Sequence, residues 1–198
     1  AGLIAAAGGE AVLLDIAPDR ATPLQEIAAA ARHVDILVTT GGASVGDYDL
    51  VKSALGSSGL ELDFWKLAMR PGKPIIFGHY RNIPFFGLPG NPVSSAVCGL
   101  LFVWPAIQHL LGQKMRRHPT HMVPLAHPLP ANDQRQDYMR AKWVSDAKGE
   151  KRIETFTPQD SSMMKFLAEA DGLVIRPPLA SAAAIGDLTE FLPFPTGV

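Results

Sequence analysis

The sequence predicts an α/β domain followed by a small β-barrel or sandwich. From residue 1 to 112, apolar runs bounded by glycine and proline alternate between strand-like and helix-like patterns, which is typical of an α/β layer. Beyond residue 120 the chain consists mostly of short strand candidates at close spacing, which is typical of a barrel or sandwich. The polar, basic stretch QKMRRHP separates the two patterns. We therefore predict domains at 1–112 and 121–198, joined by a linker at 113–120.

The composition is that of a globular chain without a strongly charged binding surface. Its 198 residues are 47% hydrophobic and carry a formal net charge of -1, so there is no basic footprint for nucleic acid or an anionic membrane. The single cysteine, Cys98, lies among apolar residues and excludes an internal disulfide. The longest apolar run, AVCGLLFVWPAI, is shorter than a bilayer span and contains Pro105, so we interpret it as a buried helix. We expect a cytoplasmic protein without nucleic-acid or membrane partners.

The first domain begins with AGLIAAAGGEAV, which has the pattern of the second half of a helix and suggests a fragment. Buried strands are predicted at AVLLDI and VDILVTT, with the Ala-rich PLQEIAAAARH between them as a crossover helix. From Leu60, LELDFWKLAMR alternates as one strand, followed by PIIFG and, after the turn HYRNI, by PFFGL. A long helix closes the domain, with Asn91 as its N-cap, Pro92 at the first helical position and Gly112 at its end.

The second domain is predicted to be mostly strands. Strand candidates lie, in chain order, at HMVPLAHPL, DYMRAKWVSD, RIETFTP, GLVIRPP and DLTEFLPF. Only SMMKFLAEA has a helical pattern in this part of the sequence.

The strand VDILVTT ends in a glycine-rich loop. Carboxyl ends of parallel strands are where open α/β folds bind ligands, and glycines let backbone N–H groups converge on an anion because no Cβ intervenes. Gly41, Gly42 and Gly46 therefore suit a phosphate group, and Ser44 can donate a further hydrogen bond. The alternative is a strand-to-helix turn that needs positive φ, and taken alone the motif favours that alternative.

Two carboxylates follow in the same loop. Asp47 and Asp49 are residues that Mg²⁺ recruits beside a phosphate. Either carboxylate also suits the first turn of the next helix, where it complements the helix dipole. Asp19, which follows a predicted strand, is either a ligand-facing carboxylate or an ordinary turn residue, and spacing does not decide between the two.

A cationic segment and a second glycine loop lie within about fifty residues of the first loop. If LELDFWKLAMR is one strand, its period of two puts Lys66 and Arg70 on one face, and Lys73 follows through a Pro-Gly turn. Three cations in eight residues suit an oxyanion or a polyphosphate, although a solvated edge strand explains the spacing equally well. GLPGNPVS supplies the second glycine-rich approach to a helix, and this convergence favours a site.

Three stretches in this order and spacing, GGASVGDYD, KLAMRPGKP and GLPGNPVSS, closely resemble the MoeA-type molybdopterin molybdenumtransferases, whose animal relative is gephyrin. The resemblance implies a three-layer, MogA-like molybdopterin-binding domain at 1–112, incomplete at its N-terminus, and then the family's C-terminal β-barrel. It also implies a reaction, in which molybdate is inserted into adenylylated molybdopterin with Mg²⁺-dependent release of AMP. The product of that reaction is the molybdenum cofactor.

The resemblance assigns roles residue by residue. It makes Asp49 and Asp19 catalytic and metal-binding carboxylates, and Lys66 and Arg70 the cations that hold the anionic substrate, with Arg70 standing where lysine is usual. The expected cofactor-binding residues are Gly41, Gly42, Ser44, Gly46, Lys73, Pro89, Gly90, Asn91, Pro92, Ser94 and, from the second domain, Arg140.

The resemblance also implies partners and leaves two alternatives. We expect a homodimer whose site is completed across the dimer, with the adenylyltransferase and molybdoenzyme apoproteins as further partners. A molybdopterin adenylyltransferase-like domain shares the α/β fold but not GLPGNP followed by a β-domain. A non-catalytic, gephyrin-like scaffold would not need Asp49, Lys66 and Arg70.

Overall fold

The computed structural model describes residues 1–16, 25–26, 28–29, 31, 33–41, 51, 54–56, 58–114, 118–157, 159 and 163–195. The chain divides into two compact units. The first consists of Ala1–Leu67 and Gly72–Met115, and the second of Ala68–Pro71 and Arg116–Val198. The four-residue segment 68–71 therefore belongs with the C-terminal part of the chain. The sequence-based boundaries at residues 112 and 120 stay a prediction.

The helices are α1 (Gly2–Ala6), α2 (Pro92–Cys98), a π-helix (Gly99–Val103), α3 (Trp104–Leu110) and α4 (Met164–Ala168). The strands are β1 (Leu37–Thr40), β2 (Leu60–Trp65), β3 (Met69–Arg70), β4 (Ile76–Tyr80), β5 (Ile83–Leu88), β6 (His121–Pro124), β7 (Gln136–Ser145), β8 (Lys151–Thr155), β9 (Gly172–Arg176) and β10 (Leu188–Pro193).

The first unit contains a mixed sheet in the order β1-β5-β4-β2. β1 runs parallel to β5, and the other neighbours are antiparallel. Arg81 and Asn82 join β4 to β5 with φ of 49° and 70°, the left-handed pair that a two-residue hairpin requires. Leu37, Ile76 and Phe85 are buried in one apolar cluster on this sheet. The predicted strands PIIFG and PFFGL and the turn between them are confirmed.

The helix after β5 begins as the sequence predicts. The side chain of Asn91, in an extended conformation, accepts a hydrogen bond from the backbone N–H of Ser94 at 3.2 Å, and Pro92 occupies the first turn. The helix then passes through the π-helix directly before Pro105, whose missing N–H would leave a regular helix one hydrogen bond short. Gly112 follows the helix with φ of 75°.

The same helix, Pro92–Leu110, is also long and apolar enough to cross a membrane. Nearly half of it is buried in the first unit, however, including Val93, Val97 and Val103. Gln108 on α3 donates from Nε2 to the carbonyl oxygen of Ala7 at 2.7 Å. These contacts are those of the core helix of a globular domain, which is the predicted interpretation of the apolar run.

Two strand predictions in the first unit are wrong. Residues 11–16, AVLLDI, form no strand, and Val12, Leu13 and Ile16 are exposed, because no strand of the described residues provides the ladder hydrogen bonds that would hold them. LELDFWKLAMR is two strands rather than one, since β2 ends at Trp65 and β3 pairs elsewhere. The crossover helix PLQEIAAAARH lies largely outside the described residues; positions 25–26 and 28–29 are helical.

The second unit is a small barrel. Its sheet has the order β3-β7-β9-β10-β6, and β8 also pairs with β7. The N–H of Ala126, just after β6, donates to the carbonyl oxygen of Ile153 on β8 at 2.9 Å, beside a parallel bridge between Leu125 and Ile153. This link joins β6 to β8, so the strands β8-β7-β9-β10-β6 close into a barrel. Leu125, Ile153 and Phe191 are buried inside. The five strand candidates and the helix SMMKFLAEA are confirmed.

Candidate functional site

Two glycine loops meet at the carboxyl edge of the parallel pair β1 and β5. The N–H of Gly41, which follows β1, donates to the carbonyl oxygen of Leu88 at 3.1 Å. A Cβ added to Gly90 would lie 3.3 Å from the Cα of Gly41, and Gly41 itself has φ of 86°. Both positions therefore need glycine, one for the approach of two backbones and the other for its left-handed conformation. The structure brings together these two residues of the predicted site.

The second loop leads directly into the capped helix. Pro89 is buried, Gly90 is exposed, and Asn91 caps the first turn. The hydroxyl of Ser94 is buried and lies 3.5 Å from the Asn91 side-chain oxygen, so it belongs to the cap. Backbone amides and the positive end of the helix dipole thus follow Gly90, which suits an anionic ligand. The ligand-binding roles predicted for Pro89, Asn91, Pro92 and Ser94 stay predictions.

Thr39 is a polar residue at this edge that the sequence analysis did not single out. It lies on β1, two residues before Gly41, and its hydroxyl oxygen is buried without a hydrogen-bond partner among the described residues. A buried hydroxyl without a partner is costly, so the site holds a polar group that a ligand or water can satisfy. The signal was the polar pair TT at the end of an otherwise apolar strand.

Lys66 lies in a bend rather than on a strand. β2 ends at Trp65, and Lys66 has φ of 69°, a left-handed conformation that is uncommon for lysine. Its N–H donates to the carbonyl oxygen of Ile75 at 3.1 Å, which fixes the bend. The N–H of Leu67 then donates to the carbonyl oxygen of Lys73 at 3.0 Å. Lys66 and Lys73 therefore lie on the two first-unit segments on either side of residues 68–71, and Lys73 is exposed.

Arg70 lies in the second unit, on β3. This strand pairs in parallel with the start of β7, and Arg70 is opposite Asp137. The guanidinium donates to the buried carboxylate of Asp137 and lies 3.6 Å from a carboxylate oxygen of Asp133. The prediction that Lys66 and Arg70 share one strand face is therefore wrong. The alternation of polar and apolar residues continues through Lys66, although the backbone changes direction there. The sequence pattern therefore did not show that one strand ends and another begins.

The carboxylates beside Arg70 form a compact charged group. Asp133 accepts hydrogen bonds from the side chain and backbone of Arg135, and these bonds hold its pKa at about 2, below the ordinary 3.8. Asp137 is buried, and its second carboxylate oxygen has no hydrogen-bond partner among the described residues. Arg70 is therefore opposed by carboxylates on the protein itself. No local sequence pattern predicts this pairing, because Arg70 and Asp137 are 67 residues apart.

Arg140, the binding residue predicted in the second domain, is buried in the barrel. It donates from Nη1 to the carbonyl oxygen of Met163 at 3.0 Å and from Nε to the side-chain oxygen of Gln159 at 3.3 Å. Its guanidinium also lies 5.9 Å from the ring centroid of Phe166. These contacts are structural, and the burial argues against direct contact between Arg140 and a ligand. A binding role for Arg140 stays a prediction.

The remaining predicted site residues lie outside the described residues: Asp19, Gly42, Ser44, Gly46, Asp47 and Asp49. In the part of the chain that the structure describes, no group of three or more His, Cys, Asp or Glu side chains could hold a metal ion. Cys98 is buried, as predicted, and desolvation raises the pKa of its thiol to about 12, so it remains protonated. What the first unit does present is the start of the Asn91-capped helix and two lysines, Lys66 and Lys73, which are features that suit oxyanions.

The chain is similar to known proteins over nearly its whole length. Residues 1–109 match the family described as "Probable molybdopterin binding domain", and residues 122–194 match "MoeA C-terminal region (domain IV)". The molybdopterin molybdenumtransferase of Haemophilus influenzae is 31% identical over 187 residues, which are 93% of this chain and 46% of that protein. The molybdopterin molybdenumtransferase of a Nostoc species is 35% identical over 144 residues, or 70% of this chain and 33% of that protein.

Solved structures give the same result. The molybdopterin biosynthesis MoeA protein from Pyrococcus horikoshii is 27% identical with a TM-score of 0.79, and the match covers 98% of this chain and 46% of that one. A molybdenum cofactor biosynthesis protein from Pyrococcus furiosus, at 19% identity and a TM-score of 0.75, shares the fold. The chain thus spans less than half the length of these curated relatives and of the first of these structures.

Proposed function

Since the chain belongs to the family of MoeA-type molybdopterin molybdenumtransferases, we propose that it takes part in inserting molybdenum into adenylylated molybdopterin, giving the molybdenum cofactor and AMP. In this reaction water cleaves the phosphoanhydride bond of the adenylylated pterin and AMP leaves. The two dithiolene sulfurs replace two oxygens of molybdate, and those oxygens leave as water with the thiol protons. Both reactants are oxyanions, so the protein must supply hydrogen-bond donors and positive charge.

One observation supports this proposal most directly. Gly90 lies against the backbone of Gly41, whose left-handed φ of 86° favours glycine, and Gly90 leads into the Asn91-capped helix. The backbone N–H groups at the start of a helix bind an anion without placing a counter-ion next to it. The proposal assigns this edge to the phosphate groups of the adenylylated pterin.

The two predicted cations take different parts in the proposal. Lys66 contributes a positive charge from the bend after β2. Arg70 is engaged with Asp137 and Asp133, so its net attraction for an anion is weaker than a free guanidinium would give. We assign the larger share of substrate binding to Lys66, with Lys73 on the neighbouring segment that accepts a hydrogen bond from the N–H of Leu67.

Magnesium remains part of the proposal through Asp19 and Asp49, which the family resemblance makes its ligands. When bound there, Mg²⁺ would neutralise phosphate charge and polarise the bond that breaks. Both carboxylates lie outside the described residues, so no geometry is assigned to the ion.

A homodimer, a cytoplasmic location, and contacts with the adenylyltransferase and molybdoenzyme apoproteins are also proposals. Their support is the family resemblance alone. Light scattering of the purified protein tests the first, and co-purification from cells tests the contacts.

Complementation tests the function. A strain that lacks its molybdenumtransferase is given a full-length protein that carries this chain, and the activity of a molybdoenzyme is measured. We expect rescue by the unaltered protein, loss of rescue with Asp49→Ala or Lys66→Ala, and full rescue with Lys114→Ala, an exposed lysine of the first unit outside both loops. Equal rescue by all four proteins would contradict the site assignment.

A second assay separates the proposal from the adenylyltransferase alternative. A molybdenumtransferase releases AMP from adenylylated pterin when molybdate is added, whereas an adenylyltransferase consumes ATP. The match of residues 122–194 to the MoeA C-terminal region favours the first activity. A gephyrin-like scaffold would show neither.

A further inference from the structure

Lys66 has an unusual backbone for a residue with a long side chain. Its φ of 69° lies in the left-handed region, where glycine or asparagine is the ordinary choice. The hydrogen bond from its N–H to the carbonyl oxygen of Ile75 holds that conformation. Residues that keep such strain concentrate at functional sites, because the surrounding structure maintains it for a purpose. The position of the Lys66 side chain is therefore of interest.

The side chain of Lys66 turns back onto its neighbour. Its ammonium nitrogen lies 3.4 Å from the ring centroid of Trp65, the last residue of β2. Tryptophan has the most electron-rich aromatic face in proteins and attracts a cation placed over it. The ring therefore holds an otherwise flexible ammonium group in one position.

The ring holds the cation without neutralising it. Among the residues that the structure describes, no ion pair includes Lys66. A carboxylate in the place of Trp65 would also fix the ammonium, but it would cancel the charge that an anion needs. An indole ring fixes the position and leaves a full positive charge for the substrate.

We propose that Trp65 is a positioning residue, which holds the Lys66 ammonium over its ring so that the charge is directed at an oxyanion substrate. The inference rests on the proposed function for the identity of the oxyanion, molybdate or a phosphate of the pterin. The placement of the ammonium by the ring does not depend on that identity.

Two variants and two measurements test the proposal on the 198-residue chain. Trp65→Leu removes the aromatic face, whereas Trp65→Phe keeps a weaker one. The first measurement is the rate of Lys66 acylation at a fixed pH by a small amine-reactive reagent, read by mass spectrometry with the other lysines as internal standards. The second is molybdate affinity by calorimetry. Trp143→Leu, on β7 of the second unit, is the matched control.

The ring covers one side of the Lys66 ammonium group, so its removal exposes the amine and raises the acylation rate at a fixed pH. We expect an increase of roughly 3- to 10-fold for Trp65→Leu, a smaller increase for Trp65→Phe, and none for the control. Molybdate affinity is expected to fall in the same order and by a similar factor. The order tryptophan, phenylalanine, leucine identifies the ring, because a general loss of packing would raise the acylation of Lys73 as well.

The outcomes separate this inference from the proposed function. If unaltered protein binds molybdate, Lys66→Ala loses it, and Trp65→Leu matches the unaltered protein in both measurements, the inference is overturned and the function stands. If acylation follows the expected order but no variant binds molybdate, Trp65 positions Lys66 and the assigned substrate is wrong. Should Trp65→Leu not fold, the comparison of Trp65→Phe with the unaltered protein decides, since identical acylation rates would refute the proposal.

Discussion

Lys66 and Arg70 lie four residues apart in one motif, yet the structure places them in different units and surroundings. Lys66 rests on an aromatic ring and keeps its charge available, whereas Arg70 is opposed by the carboxylates of Asp137 and Asp133. Two residues of the same charge in one motif therefore differ in how much of that charge is available to a ligand. The proposed function assigns the first cation to a ligand, whereas the second pairs with carboxylates of the barrel beside the short strand β3.

The largest expected effect comes from removing the anchoring charge. In Arg70→Ala the buried carboxylate of Asp137 loses its hydrogen-bonded partner, and an uncompensated buried charge is strongly destabilising. Because Arg70 is itself about half exposed, we expect a loss of about 2 kcal/mol in the free energy of unfolding of the second unit, below the range for fully buried pairs. Denaturant unfolding followed by fluorescence measures it, in a background where Trp65 and Trp104 are phenylalanine so that Trp143 alone reports.

A second substitution serves as the control for this prediction. Asp137→Asn combined with Arg70→Ala removes the buried charge and should recover part of the lost stability. An Arg70→Ala variant as stable as the unaltered protein would show that β3 is not anchored by this pair. The contrast between the two cations would then fail.

The second prediction concerns Lys66, whose replacement should weaken ligand binding and leave stability nearly unchanged. Lys66→Gly relieves a left-handed lysine but adds freedom to the unfolded chain, so the stability of the first unit should stay within about 1 kcal/mol. Loss of one charge-assisted contact should weaken molybdate binding by about 10-fold. Thermal unfolding and calorimetry on the same sample measure both. A large loss of stability with unchanged affinity would reverse the roles assigned to Lys66 and Arg70.

The fold of the two units could be predicted from the sequence more completely than the candidate site. Apolar alternation and capping residues such as Asn91 and Pro92 are local signals, and they located the barrel strands and the long helix correctly. The strand prediction for AVLLDI was wrong because a strand also needs a neighbouring strand, which composition does not reveal. The pairing of Arg70 with Asp137 could not be predicted, because it depends on the parallel register of β3 and β7.

The third prediction concerns the stability of the second unit at low pH. The pKa of Asp133 is lowered from 3.8 to about 2 by hydrogen bonds from Arg135, so its contribution to stability is present above pH 4 and is lost as the pH falls towards 2. Asp133→Asn should flatten the decline in stability of the second unit in that window. Trp143 fluorescence in the same background at several pH values measures the decline. An unchanged slope would mean that Asp133 does not stabilise the charged group around Arg70.

The smallest predicted effect concerns Thr39, a polar group of the first unit that a ligand could hydrogen-bond. The Thr39 hydroxyl is buried without a hydrogen-bond partner among the described residues, next to the glycine loops. Thr39→Val keeps the shape and removes this group, so the ligand-free chain should gain up to about 1 kcal/mol in its free energy of unfolding.

Ligand binding distinguishes a reserved donor from an ordinary packing defect. If the hydroxyl serves the ligand, the same variant should bind molybdate or AMP about 3- to 10-fold more weakly, since one hydrogen bond is lost on binding. Serine at position 39 keeps the hydroxyl and serves as the control. Greater stability together with unchanged affinity for both ligands would place Thr39 outside the site. Lower stability in Thr39→Val would show instead that the hydroxyl is already hydrogen-bonded to water. The contrast between available and neutralised polar groups would then rest on Lys66 and Arg70 alone.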